Sequence, residues 1–232
     1  MRILVVADIH GNWPALQAIR EKFDACFCLG DLVDYALEPA PCLDWVRRHA
    51  THAIRGNHDH GVAQNVVVSG KNGFKYLSGV TRALTREMLS AEDIRFLGRL
   101  PISRTVSVNG SRVLLVHASP RDPLDEYAPA DVDFWRRRLL NVSADIVCVG
   151  HTHQPYVLEV DGKIVMNPGS VGQPRDGDPR ASYAIIDNGK PEIKRVEYPV
   201  EEVVEKILAS SMPEQARLRL AEVLRTGAKV AT

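Results

Sequence analysis

Long apolar runs are missing from this 232-residue chain: none approaches the roughly 18 residues that cross a bilayer. The apolar stretch Ile3, Leu4, Val5 and Val6 near the start is too short for a signal peptide and lacks a small-residue cleavage site, so a cytoplasmic location without membrane attachment is expected. Excess charge of one sign is missing too, with 29 Lys plus Arg against 29 Asp plus Glu. No global field draws nucleic acid, and a nucleic-acid partner would have to be read locally. Cysteine is scarce. Cys26, Cys28, Cys42 and Cys148 show neither a C-x-x-C zinc pair nor a disulfide ladder, and they read as core packing. Repeats, linkers and low-complexity segments are also absent. What is there is ordinary for a globular enzyme, 45% apolar and 25% charged, which excludes disordered and fibrous classes.

This length suits one sizeable core, and a single domain over residues 1–232 is expected. Residues 2–7 form a continuous apolar run of strand length, and residues 14–22 follow with helical spacing at Leu16, Ile19 and Phe23. A second strand over 24–29, a helix over 39–49 and a short strand over 51–54 continue a β-α alternation, which implies parallel strands. Residues 61–100 then turn helical, with Ser90 to Asp93 resembling a capping box, and read as a cap inserted into the domain. Beyond Pro101 the pattern is of hairpins. Asn109-Gly110, Asp161-Gly162 and Asn188-Gly189 each separate two strand-like runs, so the second half is expected to be largely antiparallel. Helical periodicity over 200–224 is interrupted at Pro213. Two packed sheets flanked by helices satisfy this layout.

Five polar clusters each follow a predicted strand, where α/β folds collect ligand-binding groups. They are Asp8 with His10; Gly30, Asp31 and Asp34; Gly56, Asn57, His58 and Asp59; His117; and Gly150, His151 and His153. Imidazole, carboxylate and amide oxygen together suit a pair of divalent transition ions, whereas all-oxygen sets suit magnesium or calcium. In an extended segment residues i and i+2 point to one side, so Asp8 with His10, and His151 with His153, are each expected to face one cavity. Gly11, Gly30, Gly56 and Gly150 fit tight turns where a Cβ would obstruct backbone or ions.

In this order the blocks resemble the calcineurin-like metallophosphoesterase signature, D-x-H, G-D, G-N-H-D/E, H and G-H-x-H, over residues 2–172. The stretch from Asn167 to Arg175 resembles the small bacterial phosphodiesterase-type branch of that family. The resemblance implies a four-layer α/β/β/α sandwich of two mixed sheets. It implies two divalent transition ions, manganese foremost, with iron, zinc, nickel or cobalt as the other candidates. Asp8, His10, Asp31 and His153 would hold one ion and Asp31, Asn57, His117 and His151 the other, with Asp31 bridging. A metal-bridging hydroxide would attack phosphorus, His58 would protonate the leaving oxygen, and Asp34 would orient His58.

The implied activity is hydrolysis of a small phosphate ester by a phosphodiesterase or phosphatase, with nucleotides among the candidate substrates. A phosphoprotein phosphatase is the alternative within enzymes, yet Tyr35 stands where that branch carries a phosphate-binding Arg followed by Gly. A catalytically weak interaction scaffold of the same fold is the alternative outside enzymes, and the complete ligand set argues against it. Asn12, Arg55 and Arg175 are candidates for reaching the phosphate. His49, His52 and His60 read as surface or packing groups, and Asp59 as a capping group behind the ligands. Arg136 to Arg138 read as the solvated face of an amphipathic helix, and Trp13, Trp45 and Trp135 as packing. Residues 119–129 are a candidate rim for the substrate cleft.

Overall fold

The computed structural model describes residues 1–228. Strand β1 (Arg2–Val6) pairs in parallel with β2 (Ala25–Cys28), which pairs in parallel with β3 (His52–Ala53). Helices α1 (Trp13–Ala18) and α2 (Pro39–His49) make the crossovers. The hairpin of β9 (Ala181–Asp187) and β10 (Lys190–Val196) lies antiparallel on the other side of β1, giving the order β10-β9-β1-β2-β3. The second sheet runs β4 (Ser103–Val108), β5 (Ser111–Val116), β6 (Ile146–Cys148), β8 (Lys163–Asn167) and β7 (Tyr156–Val160). Its middle departs from the sequence expectation. β5, β6 and β8 are parallel, and only the edge hairpins are antiparallel.

Alternation along the strands builds three apolar layers. Ile3, Val5 and Phe27 face Val113, Leu115, Ile146 and Cys148, so the two sheets pack back to back. Leu4, Val6, Cys26 and Cys28 point the other way, onto Leu43 of α2 and onto Val204 and Leu220 of the C-terminal helices α7 (Val200–Leu208) and α8 (Glu214–Thr226). Val147 and Val149 pack against Trp135 and Leu139 at α6 (Val132–Arg138). The order of layers is therefore α/β/β/α. Each large side chain sealed in these layers contributes about 1.5–3 kcal/mol, and all four cysteines are buried there as free thiols. Burial pushes the thiols of Cys28 and Cys148 up to about 12, which suits a packing role.

At the three hairpin tips both turn residues have positive φ, 49° and 86° at Asn109-Gly110, 48° and 78° at Asp161-Gly162, and 48° and 80° at Asn188-Gly189. That is the turn whose twist matches the strands. The helix expected over 14–22 ends at Ala18, where Ile19 turns extended. Residues 61–100 carry the end of α3 (Asn57–Ala63), then α4 (Gly73–Met88) and α5 (Ala91–Arg99). α4 packs against α2, α3 and α8, and α5 packs against α3. The Ser90 box is formed: Oγ accepts from Asp93 N at 3.1 Å, and Asp93 Oδ2 accepts from Ser90 N at 2.9 Å.

Candidate metal centre

The parallel strands β1, β2 and β3 of one sheet and β5 and β6 of the other end at a shared edge, and each is followed by one of the polar blocks. Backbone shape then departs from expectation. Asp8, His10, Asp31, Asp34, Tyr35, His151 and His153 are all left-handed, with φ between 48° and 67°. These residues do not continue their strands but curl off them, in a conformation that costs non-glycine residues free energy and that clusters at functional sites.

The curl brings the side chains into two groups about Asp31, and a third, His10, Asp31 and His58, overlaps both. Asp8, His10 and His153 form one, with His10 Nε2 3.1 Å from His153 Nε2 and His153 Nε2 3.6 Å from Asp8 Oδ1. Asp31, His117 and His151 form the other, with His117 Nε2 3.2 Å from Asp31 Oδ2. Asn57 Oδ1 lies 3.1 Å from both His117 Nε2 and His151 Nδ1. Asp31 also stands 3.8 Å from His10, which makes it the carboxylate between the groups. His151 and His153 thus stand in different groups on the two sides of Asp31.

The donor set fits a cation. His10 Nδ1 donates to Val33 O at 2.8 Å, His117 Nδ1 to Leu29 O at 2.8 Å and His153 Nδ1 to Gln173 O at 2.5 Å. A carbonyl oxygen only accepts, so each of these rings carries a proton on Nδ1, and in neutral His10 and His153 the Nε2 lone pair faces the centre. Burial holds His10 and His153 well below the usual imidazole range and His151 down to about 3, keeping them neutral. Burial lifts Asp8 to about 7, and the neighbouring Asp31 charge adds to the lift. His117 goes the other way: burial lowers it, but the charge and hydrogen bond of Asp31 outweigh burial and raise it to about 10. The Nε2 atoms of His10 and His153 and the carboxylates of Asp8 and Asp31 converge there, a donor set that a divalent cation would fit.

Behind the ligands, the buried Asp59 carboxylate accepts from the backbone N of Asp31 and Leu32, each at 2.8 Å, and of Gly56 at 3.0 Å. It caps α3 and pins the Asp31 turn, as its reading as a capping group expects. Asp31 Oδ1 in turn accepts from His58 N at 2.8 Å. A Cβ on Gly56 would lie 2.1 Å from Asp31 Oδ1, which is why glycine stands before Asn57.

His58 and Asp34 form a buried dyad, Nδ1 to Oδ2 at 2.7 Å. The same carboxylate oxygen accepts from Arg82 on α4, from Nη2 at 2.6 Å and Nε at 3.0 Å. Sequence reasoning missed Arg82. The available signal was a set of polar residues, Ser78, Thr81, Arg82 and Thr85, on the same face of a helix as the buried Leu77.

A cleft of about 800 Å³ opens beside His58 and His151, and its wall includes Tyr35, Phe74, Tyr127 and Arg175. The Arg175 guanidinium lies 3.5 Å from the centre of the Phe74 ring, and Gln173 Oε1 accepts from its Nη2 at 2.7 Å. Of the three candidates for reaching phosphate, only Arg175 stands on this cleft. Asn12 is fully buried and spent on the fold: Oδ1 accepts from Ala15 N at 3.2 Å, and Nδ2 donates to Gly172 O at 2.9 Å. Arg55 turns toward α5, Nη1 to Gly98 O at 3.4 Å. Both adjoin motif residues in the chain, yet their side chains leave the site. His60 was expected at the surface or in packing and instead stands on the cleft wall, as do Leu124, Asp125 and Tyr127 of the 119–129 loop. Of the three arginines of α6, Arg136 pairs with Asp133 and Asp161, and Arg138 with Glu126.

Comparison with known proteins agrees with this geometry. A model of the calcineurin-like phosphoesterase superfamily domain matches residues 1–190. An uncharacterized protein of Methanocaldococcus jannaschii is 35% identical, covering 94% of this chain and 96% of that one. A phosphodiesterase of Escherichia coli is 28% identical over 81% of this chain and 88% of its own. The crystal structure of a metallophosphoesterase from Sphaerobacter thermophilus, 32% identical, superposes with a TM-score of 0.81 over 98% of this chain and 99% of that one.

Proposed function

We propose that this chain, which belongs to the calcineurin-like phosphoesterase superfamily, is a phosphodiesterase that works with two divalent ions shared across Asp31. That it is a metal-dependent phosphoesterase follows from the family; the number of ions, the ligand roles and the diester preference are our reading. One observation carries it. Two groups of metal-competent side chains meet at one carboxylate, on the edge of a cleft large enough for a second ester substituent beyond the phosphate. Asp8, His10, Asp31 and His153 hold one ion, and Asp31, Asn57, His117 and His151 the other. Histidine, carboxylate and amide donors suit manganese first, with iron, zinc, nickel or cobalt also acceptable. Bound there, such ions supply Lewis-acid activation of water and neutralise charge on the phosphate.

The chain's own groups do the rest. His58 Nδ1 donates to Asp34, which leaves Nε2, 4.0 Å from Asp31 Oδ2 at the cleft edge, to give its proton to the leaving oxygen. Arg175, held flat by Phe74 and tied to Gln173, offers a fixed fork to the phosphate oxygens. Phe74 and Tyr127 provide apolar surface for the departing group, and a nucleoside is a suitable one.

The test is hydrolysis of paired aryl diester and monoester substrates by metal-stripped protein, before and after manganese, with His58→Ala alongside. Activity that returns with manganese, favours the diester and falls in the variant is expected. Inactivity with every transition ion would overturn the reading, and a monoester preference would move it to a phosphatase.

A further inference from the structure

We propose that Arg82 is a positioning residue for the reaction: reaching in from α4, it locks the Asp34 carboxylate that orients His58. The inference rests on the reading of His58 as the group that protonates the leaving oxygen. Asp34 is fully buried, and the hydrogen bonds to its side chain converge on Oδ2, which accepts from His58 Nδ1 and from Nε and Nη2 of Arg82. Its Oδ1 has no partner among the described residues. With His58 alone as donor, the carboxylate could swing its second oxygen onto the imidazole. A planar fork with two donors on one oxygen removes that freedom and pairs a charge that would be costly to bury alone.

Arg82 borders the cleft but is only 8% exposed, and with Nη1 donating to Val66 O at 3.3 Å all three guanidinium nitrogens have acceptors in the protein. The guanidinium passes under α3 at Gly61, where a Cβ would lie 1.9 Å from Nη1. Gly61 is three residues beyond His58 on that helix, so the slot for the arginine and the imidazole it serves share one short element. α4 makes a second contact at the same place. Ser78, one turn before Arg82, has its hydroxyl 2.9 Å from that of Tyr35. Thus one helix face grips both Asp34 and Tyr35, neighbours held left-handed at φ 67° and 66°. The helix that borders the cleft also secures the acid.

A leaving oxygen of higher basicity depends more on the proton it receives, so a defect in aiming His58 has a signature that mere loss of stability lacks. The manganese-loaded full chain would be assayed on two diesters that differ only in leaving group, 4-nitrophenol or phenol. Arg82→Met, Arg82→Lys, His58→Ala and the double variant His58→Ala, Arg82→Met would be compared. Arg82→Met is expected to lower kcat about ten- to hundred-fold on the phenyl ester and much less on the nitrophenyl ester, with KM and metal content unchanged. Arg82→Lys should recover part of the loss, and Arg82→Met should add little once His58 is gone.

Equal losses on both esters, or a full extra loss in the His58→Ala background, would overturn the proposal. If Arg82→Met does not fold, Gly61→Ala, which crowds the same guanidinium, must show the leaving-group signature, and its absence would equally refute the idea. Should His58→Ala itself lack that signature, the acid assignment fails. Should His58→Ala show it while the Arg82 and Gly61 variants do not, only the positioning role fails.

Discussion

The Nε2 atoms of His10 and His153 face each other across 3.1 Å, each ring with its proton turned outward to a backbone carbonyl. Two lone pairs at that separation repel unless a cation or an extra proton lies between them, and burial opposes the proton. Removing metal should therefore destabilise the folded chain. Ligand at one hundred times its dissociation constant is worth about 2.7 kcal/mol per site. For a chain of this size that corresponds to about 5–10 °C in Tm. Thermal melts of chelator-treated protein, with and without added manganese, check this, and an unchanged Tm would show that the imidazoles do not hold an ion.

Asp31 Oδ2 lies 3.8 Å from His10 Nε2 of one group and 3.2 Å from His117 Nε2 of the other. Asp31→Asn retains an oxygen for the His58 backbone N–H but loses the charge that pairs with His10 and His117. Turnover should fall at least about a thousand-fold, with bound metal reduced in elemental analysis; a loss of several kcal/mol of charge stabilisation is enough. Full metal content with full activity would remove Asp31 from the bridging position.

Gly56 allows a sharper test, because it contributes no ligand atom. In Gly56→Ala the new methyl would stand 2.1 Å from Asp31 Oδ1 and 2.5 Å from Asp31 N. Backbone cannot yield cheaply there, since Asp59 ties the backbone N atoms of Asp31, Leu32 and Gly56 together. The carboxylate must move, so metal content and activity should fall together, and Tm by a further 5 °C or so, as about 1–3 kcal/mol of strain implies. A variant that keeps both metals would show that the Asp31 turn is softer than its bonding suggests.

Much of this was readable in the sequence, for reasons that also explain what was not. The three hairpins announce themselves because Asn-Gly and Asp-Gly are what a tight two-residue turn accepts, and the candidate ligands because glycines bracket them. Left-handed backbone at Asp8, His10, Asp31, His151 and His153 left no trace, since only glycine advertises positive φ and these residues adopt it under tertiary constraint. Adjacency in the chain misled at Asn12 and Arg55, because where the backbone curls a neighbour points away from the centre. Arg82 was missed for the opposite reason: it lies 48 positions from Asp34 and far from any motif. The parallel centre of the second sheet was obscured by its hairpin edges.

Arg175 is expected to act on binding more than on turnover. It reaches the cleft already stacked on Phe74 and tied to Gln173, so little freedom remains to be lost when a phosphate arrives. Charged hydrogen bonds are worth about 1.5–3 kcal/mol, so Arg175→Ala should raise KM for a diester about ten- to hundred-fold. Phe74→Ala, which removes the stacking surface and leaves the charge, should cost less. If kcat alone fell in Arg175→Ala, the residue would belong to the transition state rather than to substrate binding.

Acid stability should locate the support of the cleft rim. Glu126, in the loop that carries Leu124, Asp125 and Tyr127 to the cleft, accepts from Arg138 Nε at 2.8 Å and from the Ser119 hydroxyl. The hydrogen bonds from Arg138, helped by that from Ser119, lower its carboxyl from the ordinary 4.5 to about 2 against the opposition of burial. A carboxyl depressed on folding stabilises the folded state above its unfolded pKa and loses that contribution as pH falls toward the folded value. The difference in Tm between the native chain and Glu126→Gln should therefore be constant near neutral pH and shrink between pH 4.5 and 2. Its size should be about 2 °C or less, because the pair is solvent-screened. A difference that persists unchanged through that window would assign the effect to the shape of the side chain rather than to its charge, and the rim would then be held by packing.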